Sequence, residues 1–257
     1  MMRLLHVLLP PIVVFVLAML LAELAVRELE IKPYVLPAPS AVFRAMLEKR
    51  NDLGLSLKST AEAALVGFAL SGGIGIALAV LLSTSRLVQR ALYPYTVFFQ
   101  TVPIVAIAPL LVIWFDFGIK SVAVSAFIAS VFPVIANTLT GLLSTDPALR
   151  DLFKLYGASR LTTLWKLRLP SALPNIFTGL RIAAGLAVIG AIVGEFVAGV
   201  LTRGSGLGVS ILVAKRLGNT ADIFAAVLVA SLLGLVMLAA INLAGYLALR
   251  RWHASEQ

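Results

Sequence analysis

Long apolar tracts separated by short polar segments run along the whole chain. One helix needs about 20 consecutive apolar residues to cross the hydrocarbon core of a bilayer. The six tracts of about that length are residues 8–26, 61–83, 93–115, 122–143, 177–198 and 223–249. They predict an all-α polytopic membrane protein with six transmembrane helices. An even number of spans places both ends of the chain on one side.

The composition supports a membrane protein and excludes several other classes. The chain is 60% hydrophobic and 13% charged, whereas soluble domains are roughly 45–50% apolar and about 25% charged. Its net charge of +9 lies in short clusters between the tracts, which is typical of orientation signals and argues against nucleic-acid binding. Without cysteine, and with His6 and His253 at opposite ends, the sequence predicts no metal site.

The distribution of Lys and Arg predicts the orientation. The predicted loop with Arg86 and Arg90, the ends of the chain and a central insert share one face, which the positive-inside rule makes cytoplasmic. Because the opposite face carries nearly as many cations, the prediction depends mainly on the compact central insert. The first tract is long enough to span and has no clear cleavage site, so we interpret it as a retained anchor.

Two segments are expected on the outer face. Residues 28–58 combine a proline-rich stretch, which cannot form a continuous helix, with an amphipathic stretch that predicts an interfacial helix. Residues 199–222 predict a glycine-rich bend followed by a short amphipathic helix. Neither segment contains a pattern of catalytic residues.

Small residues recur every four positions in the second and fifth tracts, and they predict close helix packing, which by itself identifies no function. The two tracks are Gly67, Ser71, Gly75 and Ala79, and Gly179, Ala183, Ala187 and Ala191.

Prolines and polar residues in the spans indicate two alternatives. Pro103, Pro109 and Pro133 predict breaks in the third and fourth spans, with Gln100 and Asn137 close by. Such breaks are tolerated where neighbouring helices or a water-filled cavity satisfy the freed carbonyls. They fit either a solute pathway or structural kinks.

Glu195 follows the small-residue track of the fifth tract, so its side chain should face protein. A carboxyl group at membrane depth costs about 2.5–3.5 kcal/mol on insertion scales and is a functional candidate. It fits a gate or a tether between helices, a structural hydrogen bond, or contact with solute or protons. Glu23 lies nearer the outer end and can reach the interface.

The central insert, residues 146–174, predicts a helical hairpin. Asp146 and a following proline favour a helix start, Gly157 favours a left-handed helix end, and Ser159 can cap a second helix that Pro170 ends. One side of the second helix carries Leu161, Leu164 and Trp165. An apolar ridge with basic flanks fits either docking of a partner protein or contact with anionic lipid.

The stretch DLFKLYGASRLTTLWKLRLP resembles the EAA loop of the inner-membrane permeases of binding-protein-dependent type I ABC importers. Gly157, Leu167, Leu169 and Pro170 occupy the matching positions, while Asp151 and two bulkier residues replace Glu-Ala-Ala. The similarity continues through Arg181 and Glu195 and extends from about residue 58 to the C-terminal RRWH. A proline-rich segment and a Leu-Gly bend resemble the nitrate, sulfonate, taurine and bicarbonate branch.

The resemblance implies a coupling loop that fits a cleft of a separate ATPase. The residues that it assigns to coupling are Asp151, Gly157, Ala158, Ser159, Arg160, Leu167, Leu169 and Pro170. It implies two cytoplasmic ABC ATPase subunits, a periplasmic or lipid-anchored solute-binding protein and a second copy of the permease, in a bacterial inner membrane. A heterodimer with a related permease stays open.

The chain itself is expected to bind no cofactor and to be no enzyme. It lacks a G-x-x-x-x-G-K-[ST] phosphate loop, so ATP and Mg²⁺ are expected in the partner ATPase. The expected divisions are an anchor and periplasmic segment at 1–57, a transmembrane domain at 58–250 and a cytoplasmic tail at 251–257.

The solute and two other functions stay open. A small anion such as a sulfonate, nitrate or taurine is the first expectation, and a pyrimidine vitamin precursor is the alternative. An ion-coupled secondary transporter should show more intramembrane acids or inverted repeats. An intramembrane enzyme should show paired acids or a Ser/His arrangement, and both histidines are terminal.

Overall fold

The computed structural model describes residues 2–199 and 205–250, and of residues 2–8, 11 and 99 it describes the backbone only. All regular structure in these ranges is helical. The predicted tail 251–257 and residues 200–204 of the predicted outer bend lie outside the described residues. The α-helices are α1 (Met2–Glu28), α2 (Pro39–Glu48), α3 (Arg50–Leu82), α4 (Arg86–Thr101), α5 (Ile104–Phe115), α6 (Ile119–Leu143), α7 (Pro147–Leu155), α8 (Arg160–Thr163), α9 (Leu169–Ala198), α10 (Leu207–Arg216) and α11 (Thr220–Leu249).

Four long helical stretches have the length and composition to cross a membrane among the residues described. They are Arg50–Leu82, Ile119–Leu143, Arg160–Ala198 and Thr220–Leu249. The third predicted tract is divided between α4 and the shorter apolar α5, with the break at Val102 and Pro103. The all-α membrane fold is therefore confirmed, and the count of six spans stays a prediction.

The predicted breaks at Pro109 and Pro133 are wrong, because both prolines lie inside continuous helices. One proline removes a single backbone hydrogen bond, which a packed neighbour makes tolerable. At Pro133 the carbonyl accepts a bond from Asn137 Nδ2 at 2.9 Å. The same carbonyl faces Gly179 of α9 so closely that an added Cβ would lie 2.8 Å from it.

Helices α3, α6 and α9 form the tightly packed centre, as the small-residue tracks predicted. A Cβ added to Gly67 of α3 would lie 2.5 Å from Ala126 Cβ of α6. A Cβ added to Gly190 of α9 would lie 2.7 Å from Ala129 Cβ. Both predicted tracks are buried throughout. The backbones approach closely because lipid supplies no hydrophobic drive and van der Waals contact must replace it.

The end of this bundle opposite the hairpin is closed by short helices. The predicted amphipathic helix exists as α2, whose buried Val42 and Ala45 pack in a cluster with Ala225 and Ala226 of α11. Glu23 of α1 accepts bonds from the backbone N–H and the hydroxyl of Ser40, at 3.0 and 2.8 Å. The contacts of Glu23 tie α1 to the start of α2.

The described chain ends at the same end of the bundle as the hairpin. Asp222 at the start of α11 pairs with Lys49 at the opposite end. Later in α11, Gly245 lies against Phe177, near the start of α9, where an added Cβ would lie 3.2 Å from the ring.

Candidate functional site: the helical hairpin and the buried Glu195

The first arm of the hairpin, α7, begins where the sequence predicts. Asp146 Oδ1 accepts a hydrogen bond from the backbone N–H of Ala148 at 2.8 Å, and Pro147 is the first helical residue. Asp151 lies exposed on α7 and accepts a bond from Lys154 Nζ at 2.8 Å. This contact lowers the pKa of Asp151 below its usual value. The acid in the first EAA position is therefore ionised and locally paired.

The turn between the two arms depends on Gly157, as predicted. Its φ of +69° lies in the left-handed region, where glycine has no Cβ to clash. The N–H of Gly157 donates to Lys154 O at 3.0 Å, and the N–H of Ala158 donates to Phe153 O at 2.9 Å. These bonds satisfy carbonyls at the end of α7 and fix the direction of the chain.

Ser159 starts the second arm. Its hydroxyl accepts a bond from the backbone N–H of Thr162 at 3.1 Å. Arg160, the next residue, is the first of α8 and is exposed. Both arms therefore begin with a side-chain cap, and the short connection makes the hairpin a rigid unit.

The expectation that Pro170 ends the second arm is wrong. Helix α8 continues through a π-helical turn, Leu164–Arg168, directly into α9. In this turn the N–H of Leu169 donates to Leu164 O, five residues earlier. Pro170 follows as one of the first residues of α9. Its missing N–H costs little there, because the π-helical turn before it already changes which carbonyl each N–H bonds. The hairpin is thus joined to the long α9 helix without a flexible break.

Arg168 connects the hairpin to the ends of two other helices. Its Nε and Nη2 donate to Leu142 O at 3.2 and 3.0 Å, and its Nη1 donates to Ser83 O at 3.4 Å. Leu142 is in the last turn of α6 and Ser83 follows the last residue of α3. Sequence reasoning counted Arg168 only as a cation, since a bond to carbonyls 26 and 85 residues away leaves no local pattern.

The predicted apolar ridge is present but is composed differently. Leu161 and Trp165 are 65% and 64% exposed, whereas Leu164 packs against the core cluster that contains Leu142. At the tip, Leu155 and Tyr156 are 84% and 83% exposed. These four exposed residues, Leu155, Tyr156, Leu161 and Trp165, are here called the hairpin ridge.

The candidate coupling residues divide into two groups. Asp151, Gly157, Ser159 and Arg160 are exposed, on the same hairpin as the ridge. Leu167 is buried, while Leu169 and Pro170 are partly buried at the base of α9. Ala158 is partly buried between the groups. The first group can touch a partner, and the second joins the hairpin to the bundle.

At the other end of α9, Glu195 is 2% exposed and tethers three elements. Its Oε1 accepts a hydrogen bond from the hydroxyl of Thr60 on α3, and its Oε2 accepts one from the N–H of Gly208 on α10, both at 2.7 Å. Thr60 in turn accepts a bond from the N–H of Leu207 at 2.8 Å. The carboxyl group therefore sits at the N-terminus of α10, where peptide N–H groups favour an acceptor.

The glycines of the outer bend make room for this carboxyl group. Gly206 has φ +102°, and a Cβ there would overlap the Glu195 carboxyl. A Cβ on Gly208 would lie 2.7 Å from Ile192 O and 2.8 Å from Glu195 Cβ. The geometry supports the tether among the alternatives for Glu195. Thr60 was missed because a lone threonine in a predicted span gives no signal.

The candidate pathway residues do not form one site with Glu195. Gln100 is exposed near the end of α4, and Pro103 precedes α5. Asn137 of α6 faces Gly179 of α9, where an added Cβ would lie 3.1 Å from Asn137 Cβ. Gly179 and Glu195 are 16 residues apart in one helix, which is about 24 Å. A pathway role for these residues stays a prediction.

The sequence family agrees with this architecture. The family described as binding-protein-dependent transport system inner membrane component matches residues 71–253. The chain belongs to this family. It is thus a permease component of an ABC transporter, and the match includes the hairpin, α9 and the outer bend.

Several curated permeases are similar to this permease over most of their length. The formylaminopyrimidine transport permease protein of Halalkalibacterium halodurans is 36% identical over 91% of this chain and 92% of its own. The riboflavin transport system permease protein of Chloroflexus aurantiacus is 34% identical over 86% of this chain and 82% of its own. The putative aliphatic sulfonates transport permease protein of Bacillus subtilis is 29% identical over 78% of this chain and 72% of its own.

The fold also has a solved counterpart. The crystal structure of an amino acid ABC transporter with histidines matches 81% of this permease and 98% of its own chain, with a TM-score of 0.59 and 15% identity. At this identity the similarity shows the fold alone. The permease therefore has a type I importer permease fold.

Proposed function

We propose that this permease forms the solute pathway of an ATP-driven importer and transmits the work of a separate ATPase through its hairpin. The observation that carries the proposal is the hairpin ridge. Four large apolar side chains are exposed on a rigid, doubly capped hairpin that continues without a break into α9. Exposed apolar surface of this kind marks a site of protein or membrane interaction, and membership of the permease family favours the ATPase as its partner. Movement of a partner against the ridge would move α9, and with it Glu195 at the far end.

The motor belongs to another chain in this proposal. The sequence has no phosphate-binding loop, so ATP and Mg²⁺ are used by two cytoplasmic ATPase subunits and this chain is not an enzyme. Each permease offers one hairpin. A homodimer of the permease therefore matches the two ATPase subunits.

The proposed orientation places the hairpin and both ends of the chain in the cytoplasm of a bacterium, in the inner membrane. A solute-binding protein, periplasmic or lipid-anchored, then delivers solute at the end where α2 and α10 lie. The division into segments 1–57, 58–250 and 251–257 stays a proposal, and residue 58 lies inside α3.

We propose a pyrimidine vitamin precursor as the solute, the alternative from the sequence analysis. Support comes from the formylaminopyrimidine permease relative, which has 36% identity and nearly full coverage. A sulfonate or nitrate is the second candidate, because permeases named for those solutes are 29% and 31% identical.

The test is uptake by the complete importer in proteoliposomes that contain ATP inside. The proposal expects ATP-dependent accumulation of labelled formylaminopyrimidine when the cognate binding protein and ATPase are present. Accumulation of an alkylsulfonate or nitrate instead would support the second candidate. Uptake by the permease without its ATPase would contradict the proposed mechanism.

A further inference from the structure

A basic cavity lies between the hairpin and the turn that joins α3 to α4. Its volume is about 740 Å³. Ser83 at the end of α3, Arg86 at the start of α4 and Leu143 at the end of α6 form one part of the wall, and the hairpin forms the rest. The cavity is therefore level with the ends of two apolar spans, where a membrane protein meets lipid headgroups.

Five cationic side chains line this cavity, and its lining contains no acidic residue. They are Arg86, Arg150, Lys154, Arg160 and Arg168. Lys154 is paired with Asp151, and Arg168 is occupied by the carbonyls of Leu142 and Ser83. For the other three, the described part of the chain offers no carboxylate within salt-bridge distance. Like charges held together in this way repel one another, and a bound anion would remove the repulsion.

We infer that this cavity binds the phosphate group of an anionic phospholipid. Arginine presents paired N–H donors that match phosphate oxygens, and three arginines that form no salt bridge with any described residue line this cavity. Basic pockets between spans are suited to lipid headgroups. Leu87, which is 77% exposed beside Arg86 at the end of the spans, offers apolar surface for an acyl chain. This combination favours a lipid over a free phosphate ion.

The location gives the bound lipid a consequence for the hairpin. Arg86 belongs to α4, whereas Arg150 belongs to α7 and Arg160 to α8. One phosphate between them would connect the hairpin to α4. Arg168 holds the same wall together through its bonds to Ser83 and Leu142, so it positions the cavity and does not bind the phosphate itself.

The test uses the full-length permease without its ATPase, purified in a neutral detergent. Native mass spectrometry measures binding of added phosphatidylglycerol and of phosphatidylcholine. The double variant Arg86→Gln/Arg150→Gln removes two cations from the cavity. The matched control Arg44→Gln/Arg50→Gln removes two exposed cations near the junction of α2 and α3, away from the cavity.

The proposal expects phosphatidylglycerol to bind the wild type more tightly than phosphatidylcholine does. Loss of two cations should weaken phosphatidylglycerol binding roughly 25-fold, at about fivefold for each. The control should change it less than twofold, and Arg86→Lys/Arg150→Lys should keep most of the affinity. An unchanged thermal unfolding midpoint excludes misfolding. If the double variant unfolds, the single variant Arg86→Gln carries the test, with an expected loss of about fivefold.

Three results would overturn the inference. The first is that Arg86→Gln/Arg150→Gln and the control Arg44→Gln/Arg50→Gln weaken phosphatidylglycerol binding equally. The effect would then come from the overall charge of the protein and not from this cavity. The second is binding of inorganic phosphate with the same affinity and the same dependence on Arg86 and Arg150, which would make a free anion the ligand. The third is no preference for phosphatidylglycerol, together with loss of ATPase association in Arg86→Gln/Arg150→Gln alone, which would assign the cations to a protein interface.

Discussion

Thr60 on α3 and Glu195 on α9 are joined by a hydrogen bond of 2.7 Å across 135 residues of sequence. Through its second oxygen, Glu195 also holds the N-terminus of α10. Helices α3, α9 and α10 are therefore fixed to one another at a buried point. Any movement of α9 that the hairpin initiates must carry this point along or break it.

Glu195→Gln should destabilise the protein and reduce transport. The glutamine oxygen can accept from the Gly208 N–H, and its NH2 can donate to Thr60 Oγ1, which then donates to Ser56 O instead. The second amide N–H, however, replaces an acceptor oxygen in a buried site and is left without a partner. An unsatisfied buried group costs about 1–3 kcal/mol. Thermal unfolding in detergent measures the loss.

Glu62→Gln is the matched control for this change, because Glu62 also belongs to the transmembrane bundle but is 52% exposed. Glu23→Gln should likewise affect transport less than Glu195→Gln does. Equal effects of Glu195→Gln and Glu62→Gln would remove the special role of Glu195.

Gly157→Val should uncouple ATP hydrolysis from uptake while the protein stays in the membrane. A β-branched residue at φ +69° costs roughly 1 kcal/mol or more and would redirect the second arm. Gly157→Asn should keep more activity, since asparagine tolerates the left-handed region. The measurement is the ratio of solute transported to ATP hydrolysed. Normal coupling in the valine variant would contradict the proposed transmission through the hairpin.

Arg168→Met should loosen the base of the hairpin. It removes the donors to Leu142 O and Ser83 O, and hydrogen bonds from a charged group contribute about 1.5–3 kcal/mol each. The thermal unfolding midpoint should fall clearly, and cleavage of the hairpin by a protease should speed up. The exposed Arg44→Gln change should leave both measurements unaltered, and an unaltered Arg168→Met protein would refute the proposed connection.

Gly67→Ala should destabilise the protein by about 1–3 kcal/mol, because a methyl group there meets Ala126 Cβ at 2.5 Å and Ala123 O at 2.6 Å. Gly73→Ala on the same helix is the control, since nothing lies within 4 Å of its added Cβ. The comparison of the two midpoints tests the packing of α3 on α6. A larger loss for Gly73→Ala would show that the packing is different.

Local signals predicted much of this structure, and long-range contacts explain the rest. The caps at Asp146 and Ser159 and the turn at Gly157 depend on neighbouring residues, and all three are confirmed. The wrong expectations at Pro133 and Pro170 have a common origin. A proline predicts a break only if the helix cannot absorb its missing bond. At Pro170 the preceding π-turn shifts the bonding pattern, and at Pro133 the close packing of α6 against Gly179 of α9 holds the helix in place.

The contacts of Arg168 and Thr60 connect helices that are distant in sequence. One sequence read locally cannot show which carbonyls or carboxyls the fold brings near them. Periodicity does predict which faces are buried, and for that reason the tracks around Gly67 and Ala187 were found, although their partners were not.

The most direct test of the central claim is cross-linking from the tip of the hairpin to the ATPase. The sequence contains no cysteine, so Tyr156→Cys introduces a single reactive site, and Phe43→Cys provides an exposed control on α2 at the opposite end. In membranes that contain the assembled importer, Tyr156→Cys should cross-link to the ATPase subunit with a yield that changes when ATP is added, and Phe43→Cys should not. An intact, active importer in which only Phe43→Cys, or neither residue, reaches the ATPase would contradict the account.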